Sequence, residues 1–87
     1  MKKRVRKNAM PVIVIELGKK IREIRESKKM STMELAFSIG IEAQHLRRYE
    51  TGKQEMKISM LEKIANGLQM SIGELIEYEL IKKKDDI

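Results

Sequence analysis

The 87-residue chain has no cysteine, no tryptophan, one phenylalanine, two tyrosines and one histidine. Without cysteine it can form no disulfide scaffold, no thiolate zinc site and no cysteine nucleophile. With so few aromatic rings, stacking on single-stranded nucleic acid is not expected. The single histidine lacks partners for a metal site or a catalytic dyad, and there is neither a glycine-rich phosphate loop nor a pair of inward-facing carboxylates. We therefore expect a protein that is not an enzyme and has no catalytic residues, metal site or cofactor.

Long apolar runs are also missing. The longest contain four or five residues, far fewer than the roughly 20 that a membrane-spanning helix needs, and no secretory signal is recognisable. The length suits one small domain, since typical domains have about 100–150 residues. We expect a soluble, cytoplasmic protein with no membrane partner.

The charge is strongly basic and unevenly distributed. Nineteen Lys and Arg against thirteen Asp and Glu give a net charge of +6. Residues 1–29 hold eleven basic and three acidic groups, a local charge of +8, whereas the rest of the chain is close to neutral. Such a surface attracts polyanions by counterion release, and DNA is the commonest of them. A solubilising, ribosomal or membrane-surface tail is the alternative that composition alone leaves open.

The N-terminal 15 residues are predicted to lie apart from the main domain. Lys2 to Lys7 form a basic arm, which either reaches along DNA or serves as a solubilising tail. Pro11 is the only proline and marks a break. The β-branched run Val12–Ile15 is either a short strand or the apolar lead-in to a helix, and we favour an extended segment that pairs or packs. From about Glu16 the apolar period becomes helical, and this first helix is predicted to end near Lys28.

A helix-turn-helix is predicted in the middle of the chain. Ser31 and Glu34 have the spacing of a capping box that opens a second helix, and Gly40 stands where that helix needs left-handed geometry to end. Only two or three residues later a third helix begins, with Glu42 as its N-cap, and it ends before Gly52. Two short helices joined by a tight glycine-containing turn are the arrangement of this motif.

Two further helices complete the predicted domain. The fourth has apolar residues at core spacing, namely Ile58, Leu61, Ile64, Ala65 and Leu68. The fifth opens with a second capping box, Ser71 with Glu74, and continues through Leu75, Ile76 and Leu80. We predict an all-α domain of five helices over residues 16–81, preceded by the extension 1–15 and followed by a charged tail, 82–87.

The ordered set of these residues resembles a known family. Leu17-Gly-Lys-Lys-Ile-Arg-Glu-Ile-Arg25, Leu35-Ala36 with Ile39-Gly40-Ile41, and Arg48-Tyr49-Glu50-Thr51-Gly52-Lys53 are similar to the Cro and phage-repressor (XRE) type of helix-turn-helix regulator. The resemblance covers roughly residues 16–77. It implies the lambda-repressor-like five-helix fold and transcriptional control, as a dimeric repressor, by binding operator DNA.

The third helix carries the residue types that major-groove readout needs. Leu46 is the predicted buried centre of this helix, and each residue turns the helix by 100°. The side opposite Leu46 therefore carries Gln44, Arg48 and Thr51, and its flanks carry His45 and Arg47. Glutamine pairs with adenine and arginine with guanine through two hydrogen bonds each. The resemblance assigns base contacts to Ala43, Gln44 and Arg48, although Ala43 has only a methyl group to offer a thymine.

Phosphate contacts and one ion pair are expected around this helix. A helix N-terminus and nearby cations suit phosphate, and the expected contacts come from Ser31, Thr32, His45, Arg47, Lys53 and Lys57. The resemblance further implies an ion pair between Arg25 and Glu50 that orients the third helix. The chain departs from the family pattern at Thr32, where glutamine is common, and at Glu42, where Ser or Thr is usual. It also has Tyr49 where the family has an aliphatic residue, and we expect Tyr49 to be part of the core.

Two functions and one assembly question remain open from sequence. The first function is a sequence-specific, dimeric regulator on a pseudo-palindromic operator in double-stranded DNA. The alternative is a protein-interaction module that keeps the scaffold and docks another regulator. The apolar residues Val12–Ile15, Ile76, Leu80 and Ile81 are not needed by a five-helix core, and they suit burial against a second copy. Phage-type repressor, restriction–modification controller and antitoxin are not distinguished.

Overall fold

The structure, a computed structural model, describes residues 10–80; the basic arm, Ile81 and the tail lie outside the described residues. Within residues 10–80 five helices follow one another: α1 Val12–Ser27, α2 Thr32–Ile39, α3 Ala43–Glu50, α4 Ile58–Gly67 and α5 Ile72–Glu77. No strand occurs between residues 10 and 80, so the all-α prediction is confirmed. None of the helices in this range is long and apolar enough to cross a membrane.

The first helix begins four residues earlier than predicted. Val12–Ile15 is the first turn of α1, not an extended segment, and the Val14 amide donates to the Pro11 carbonyl at 3.0 Å. Packing explains the correction: Val14 is buried, and Ile15 lies against the turn at Gly52. These contacts outweigh the weak preference of β-branched residues for strands. The boundary placed after residue 15 therefore falls inside α1.

Local signals set the ends of the short helices. Ser31 Oγ accepts from the Glu34 amide at 3.0 Å while the Ser31 amide donates to Glu34 Oε1 at 2.7 Å. Ser71 and Glu74 make the same reciprocal pair at 3.0 and 2.8 Å, so both predicted capping boxes form. Gly40 ends α2 with φ of 80°, a left-handed conformation that glycine adopts without a steric penalty.

The core is a cluster of buried side chains to which all five helices contribute, with α2 packed between α3 and α4. Its fully buried large side chains are Ile21, Leu35, Leu46, Ile64, Leu68 and Leu75. Tyr49 is also buried there, as predicted. Ile58 is the exception to the predicted set: it is 77% exposed because it is the first residue of α4, where the chain has only just reached the core. Met56 and Met60 pack against the core on either side of it.

The last helix is shorter than predicted. It ends at Glu77, where Tyr78 adopts φ −56° and ψ 135°, so Leu80 lies beyond the helix although it is buried. Ile76 is 43% exposed, as expected for a residue that the core does not need, whereas the burial of Leu80 corrects the same expectation for that residue. Lys20 of α1 donates its Nζ to the Ile76 carbonyl, which gives one of the last carbonyls of α5 a partner. This contact fastens the end of α5 to the middle of α1.

Candidate nucleic-acid interface

One side of α3 is held against the body of the domain. Leu46 and Tyr49 are buried, and α1 crosses α3 so closely that no side chain fits at Gly18. A Cβ at Gly18 would lie 2.8 Å from the Glu50 carbonyl oxygen and nearer still to that of Tyr49. The backbone-to-backbone approach leaves α3 little freedom to rotate or move inward.

The other side of α3 is a continuous hydrogen-bonding surface. Gln44, His45, Arg47 and Arg48 are all exposed. Thr51 is exposed too, but its hydroxyl donates to the Arg47 carbonyl at 2.7 Å and so completes the helix end. Ala43 is half-buried and packs against the core, so little of its methyl group is left on the outer surface. The side chains free to contact a ligand are thus two arginines, a glutamine and a histidine.

Glu42 occupies the N-cap position but does not cap with its side chain. Its backbone has the extended conformation of an N-cap, φ −80° and ψ 148°, yet no capping hydrogen bond reaches the carboxylate. The predicted N-cap position is confirmed, but the expectation that the carboxylate caps the helix is wrong. The physical reason is side-chain length: Ser, Thr, Asp and Asn reach the amides two and three residues on, and Glu is one methylene longer than the best of them. The carboxylate is exposed beside α3.

A buried ion pair joins α1 to the end of α3. Arg25 Nε donates to Glu50 Oε2 at 2.8 Å and its second terminal nitrogen to Glu50 Oε1 at 3.1 Å. The remaining terminal nitrogen donates to the Met30 carbonyl at 2.8 Å. Both residues are less than 10% exposed. The hydrogen-bonded carboxylate of Glu50 raises the pKa of the Arg25 guanidinium above its ordinary value, although burial acts in the opposite direction. The predicted pair thus exists, and each of the three guanidinium nitrogens of Arg25 donates a hydrogen bond.

The predicted phosphate-contacting residues surround α3 at two places. Lys53 and Lys57 are exposed in the loop after α3 and at the start of α4. Ser31 and Thr32 lie at the start of α2, where the carboxylate of Glu34 already accepts the Ser31 amide. That carboxylate adds negative charge at this helix end, which weakens its attraction for a phosphate. The lysines are therefore better placed than the α2 terminus to meet an anion.

The loop after α3 returns to the helix, a feature that sequence reasoning missed. Gly52, with φ of 73°, donates its amide to the Tyr49 carbonyl at 3.2 Å, and Lys53 donates to the Arg48 carbonyl at 2.9 Å. These two bonds are the Schellman pattern. They bring the next residue, Gln54, back beside α3, where its Oε1 accepts from Arg48 Nε at 3.0 Å. The glycine was a visible signal for the turn, but nothing in the sequence pattern indicated the side-chain contact.

An exposed apolar pair on α2 was also missed. Phe37 is 88% and Met33 69% exposed. They lie four residues apart and so share one face of the helix. The sequence signal was available, because both positions fall outside the core-facing period that Leu35, Ala36 and Ile39 define. Among the described residues, no group of three or more His, Asp and Glu side chains could hold a metal ion.

Comparison with known proteins agrees with this geometry. The Cro/C1-type helix-turn-helix DNA-binding domain family matches residues 20–80, from the middle of α1 to the end of the described chain. The restriction-modification controller protein C.AhdI from Aeromonas hydrophila is 26% identical, with a TM-score of 0.71, over 75% of this chain and 98% of that one. No curated protein sequence matches.

Two further structures share the fold. The clp gene regulator ClgR from C. glutamicum is 24% identical, with a TM-score of 0.73, over 76% of this chain and 86% of that one. The restriction-modification controller C.Esp1396I, solved as a tetramer with its natural 35 base-pair operator, is 23% identical, with a TM-score of 0.70, over 76% and 91%. The predicted lambda-repressor-like architecture is confirmed.

Proposed function

Since the chain belongs to the Cro/C1-type helix-turn-helix DNA-binding family, we propose that it is a transcriptional repressor that recognises a specific operator in double-stranded DNA. The observation that carries the proposal is the two-sided character of α3. One side is buried by Leu46 and Tyr49, and the other presents Gln44, Arg47 and Arg48 to solvent. A helix of this kind fits the major groove, where glutamine and arginine read base edges.

In this proposal Gln44 and Arg48 contact bases, and Ala43 contributes at most an apolar contact to a thymine methyl group. His45 and Arg47 on the flanks, with Lys53 and Lys57 beyond α3, contact phosphates and set the position of the helix in the groove. Ser31 and Thr32 belong to the same proposed set, with a smaller share because Glu34 lies beside them. The Arg25–Glu50 pair orients α3 without touching DNA.

We propose that the active form is a homodimer on a pseudo-palindromic operator. Val12 and Ile13 are 73% and 61% exposed and face the same groove as Ile76, between the start of α1 and the end of α5. Covering these side chains with a second copy removes apolar surface from water. A twofold dimer brings two α3 helices about one DNA turn apart, about 34 Å. A cytoplasmic location belongs to the same proposal.

The test is selection of binding sites from a random double-stranded DNA pool at about 0.15 M salt, where non-specific attraction is partly screened. The proposal expects a twofold-symmetric motif with half-sites about one turn apart. A single half-site would keep the DNA-reading function and contradict the dimer. A pool without any motif, with binding that falls steeply as salt rises, would contradict sequence-specific recognition.

A protein-docking module is the second candidate, and the exposed Phe37 and Met33 favour it. Such apolar side chains on one face are typical of interaction surfaces. Phe37→Ser and Arg48→Ala together separate the two functions. A DNA-reading regulator keeps its selected motif with Phe37→Ser and loses the preference at one base pair per half-site with Arg48→Ala. A docking module selects no motif, and its binding to the partner protein weakens with Phe37→Ser and stays intact with Arg48→Ala.

A further inference from the structure

The loop after α3 contains a side chain that controls how Arg48 is presented, and this inference rests on the proposed function. We infer that Gln54 is a positioning residue for base recognition: it holds the Arg48 guanidinium so that its two terminal nitrogens point together at one base. Gln54 contacts no DNA in this inference. Its effect reaches the base only through Arg48.

Main-chain hydrogen bonds bring Arg48 and Gln54 together. Lys53 donates its amide to the carbonyl of Arg48 itself at 2.9 Å, and Gly52 donates to Tyr49 at 3.2 Å. The residue after Lys53 is therefore fixed relative to Arg48 by main-chain bonds, not by chance approach of two long side chains. Ile15 of α1 packs against Gly52 and supports the same turn from below. Gln54 is accordingly half-buried although it lies in a loop.

The contact between Arg48 and Gln54 uses only one of the three guanidinium nitrogens. Arg48 Nε donates to Gln54 Oε1 at 3.0 Å. A guanidinium has five N–H groups, one on Nε and two on each terminal nitrogen, so this bond leaves the terminal fork free. That fork is the part that pairs with O6 and N7 of guanine. Because Gln54 accepts from Nε, the two terminal nitrogens of Arg48 remain free to bond a base.

The contact with Gln54 leaves the positive charge of Arg48 available. The partner of Arg48 is a neutral amide, so its positive charge is not compensated by a carboxylate. Arg25 differs, because both Nε and one terminal nitrogen bond Glu50. A neutral acceptor fixes the orientation of an arginine while leaving it fully attractive to DNA. Ordering the side chain before binding reduces the entropy lost in the complex.

The test compares Gln54→Ala with the parent protein and with Lys53→Ala, a neighbouring variant expected to lose a phosphate contact. Dissociation constants are measured on the selected operator, on operators with a single changed base pair, and on unrelated DNA over a series of salt concentrations. Circular dichroism and thermal melting verify that each variant is folded. Arg48→Ala and the Arg48→Ala, Gln54→Ala double variant complete a mutant cycle.

Discrimination is the ratio of the dissociation constants for a changed operator and the selected one. In Gln54→Ala we expect this ratio to fall about three- to tenfold at one base pair per half-site, because the Arg48 side chain is no longer ordered before binding. Affinity for unrelated DNA and the salt dependence should not change. Lys53→Ala should weaken binding to all DNA and lower the salt slope by about one. In the double variant the loss should equal that of Arg48→Ala alone. Gln54→Glu, which keeps the acceptor, should retain the discrimination and bind all DNA more weakly.

Three results would overturn the inference. Unchanged discrimination in Gln54→Ala would mean that Arg48 needs no support, and equal losses at every base pair would mean a general contact. Additive losses in the double variant would show that Gln54 acts independently of Arg48. In each case the operator motif of the parent protein stands, so the proposed function survives. If the parent protein selects no motif, both the proposed function and this inference are wrong.

Discussion

Arg25 of α1 and Arg48 of α3 are both held by side-chain hydrogen bonds, but in different ways. Arg25 is 7% exposed and has its nitrogens committed to Glu50 and the Met30 carbonyl. Arg48 is exposed and gives only Nε to a neutral amide. The guanidinium of Arg25 joins α1 to α3, whereas the terminal nitrogens of Arg48 remain available to a ligand. The contrast teaches that the partner and burial of an arginine, more than its presence on a motif, indicate its role.

The largest effect is expected where the buried pair is broken. Glu50→Ala leaves the Arg25 charge buried without its carboxylate, and removal of one partner costs about 3–5 kcal/mol. Chemical denaturation should therefore show a variant that has lost a large part of its stability, since small domains have about 5–15 kcal/mol in total. The combined change Arg25→Met with Glu50→Leu should recover most of the loss. A single variant as stable as the parent would remove the distinction between the two arginines.

The second substitution moves α3 as a whole. In Gly18→Ala the new methyl group meets the carbonyl oxygens of Tyr49 and Glu50, the latter 2.8 Å away, and α1 must separate from α3. Overpacking of this kind costs about 1–3 kcal/mol in the free energy of unfolding. Gly73→Ala is the matched control, because its nearest neighbour, Ser71 Oγ, is 3.8 Å away. That control should be neutral or stabilising, since alanine favours helix. Equal effects of the two alanines would contradict the close crossing.

Arg48→Ala should have the reverse profile of Glu50→Ala. Its exposed side chain contributes little to folding, so the free energy of unfolding should stay within about 0.5 kcal/mol of the parent value. Discrimination against one changed base pair should fall by about 1–3 kcal/mol. Denaturation and operator binding, measured on the same preparation, separate the two effects. Loss of stability without loss of discrimination would assign Arg48 to the scaffold.

The smallest effect concerns pH and the end of α5. Burial raises the pKa of the Tyr78 hydroxyl, and the neighbouring Glu23 carboxylate adds to the rise. The folded state therefore keeps this proton when the unfolded state, with a pKa of about 10, begins to lose it. Stability should fall as the pH rises through this value. Tyr78→Phe should reduce that alkaline loss and behave like the parent near neutrality. Identical alkaline profiles would show that Tyr78 is not in the described surroundings.

Much of the fold followed from local rules. The capping boxes at Ser31 and Ser71 and the left-handed Gly40 are signals within four residues, and the structure contains all three. What failed depended on distant partners. Val12–Ile15 has strand-like composition, yet burial of Val14 and the contact of Ile15 with Gly52 make it helical.

The candidate site divides in the same way. Its residue types and their common face on α3 follow from a 100° period, which sequence alone supplies. The orientation of each side chain does not. Gln54 is close to Arg48 because a backbone turn brings it back beside α3, and no periodicity indicates that contact. For Glu42 the signal was in the sequence, because its side chain is longer than those that cap well, and its carboxylate makes no capping hydrogen bond.

Methylation interference on the selected operator tests directly whether α3 reads bases in the major groove. A methyl group on guanine N7 blocks the acceptor that an arginine fork uses. If α3 reads bases through Arg48, the parent protein should show interference at symmetry-related guanines about one turn apart, and Arg48→Ala should show none at those guanines. Interference that is unchanged in Arg48→Ala, or an operator insensitive to N7 methylation throughout, would contradict base reading by Arg48.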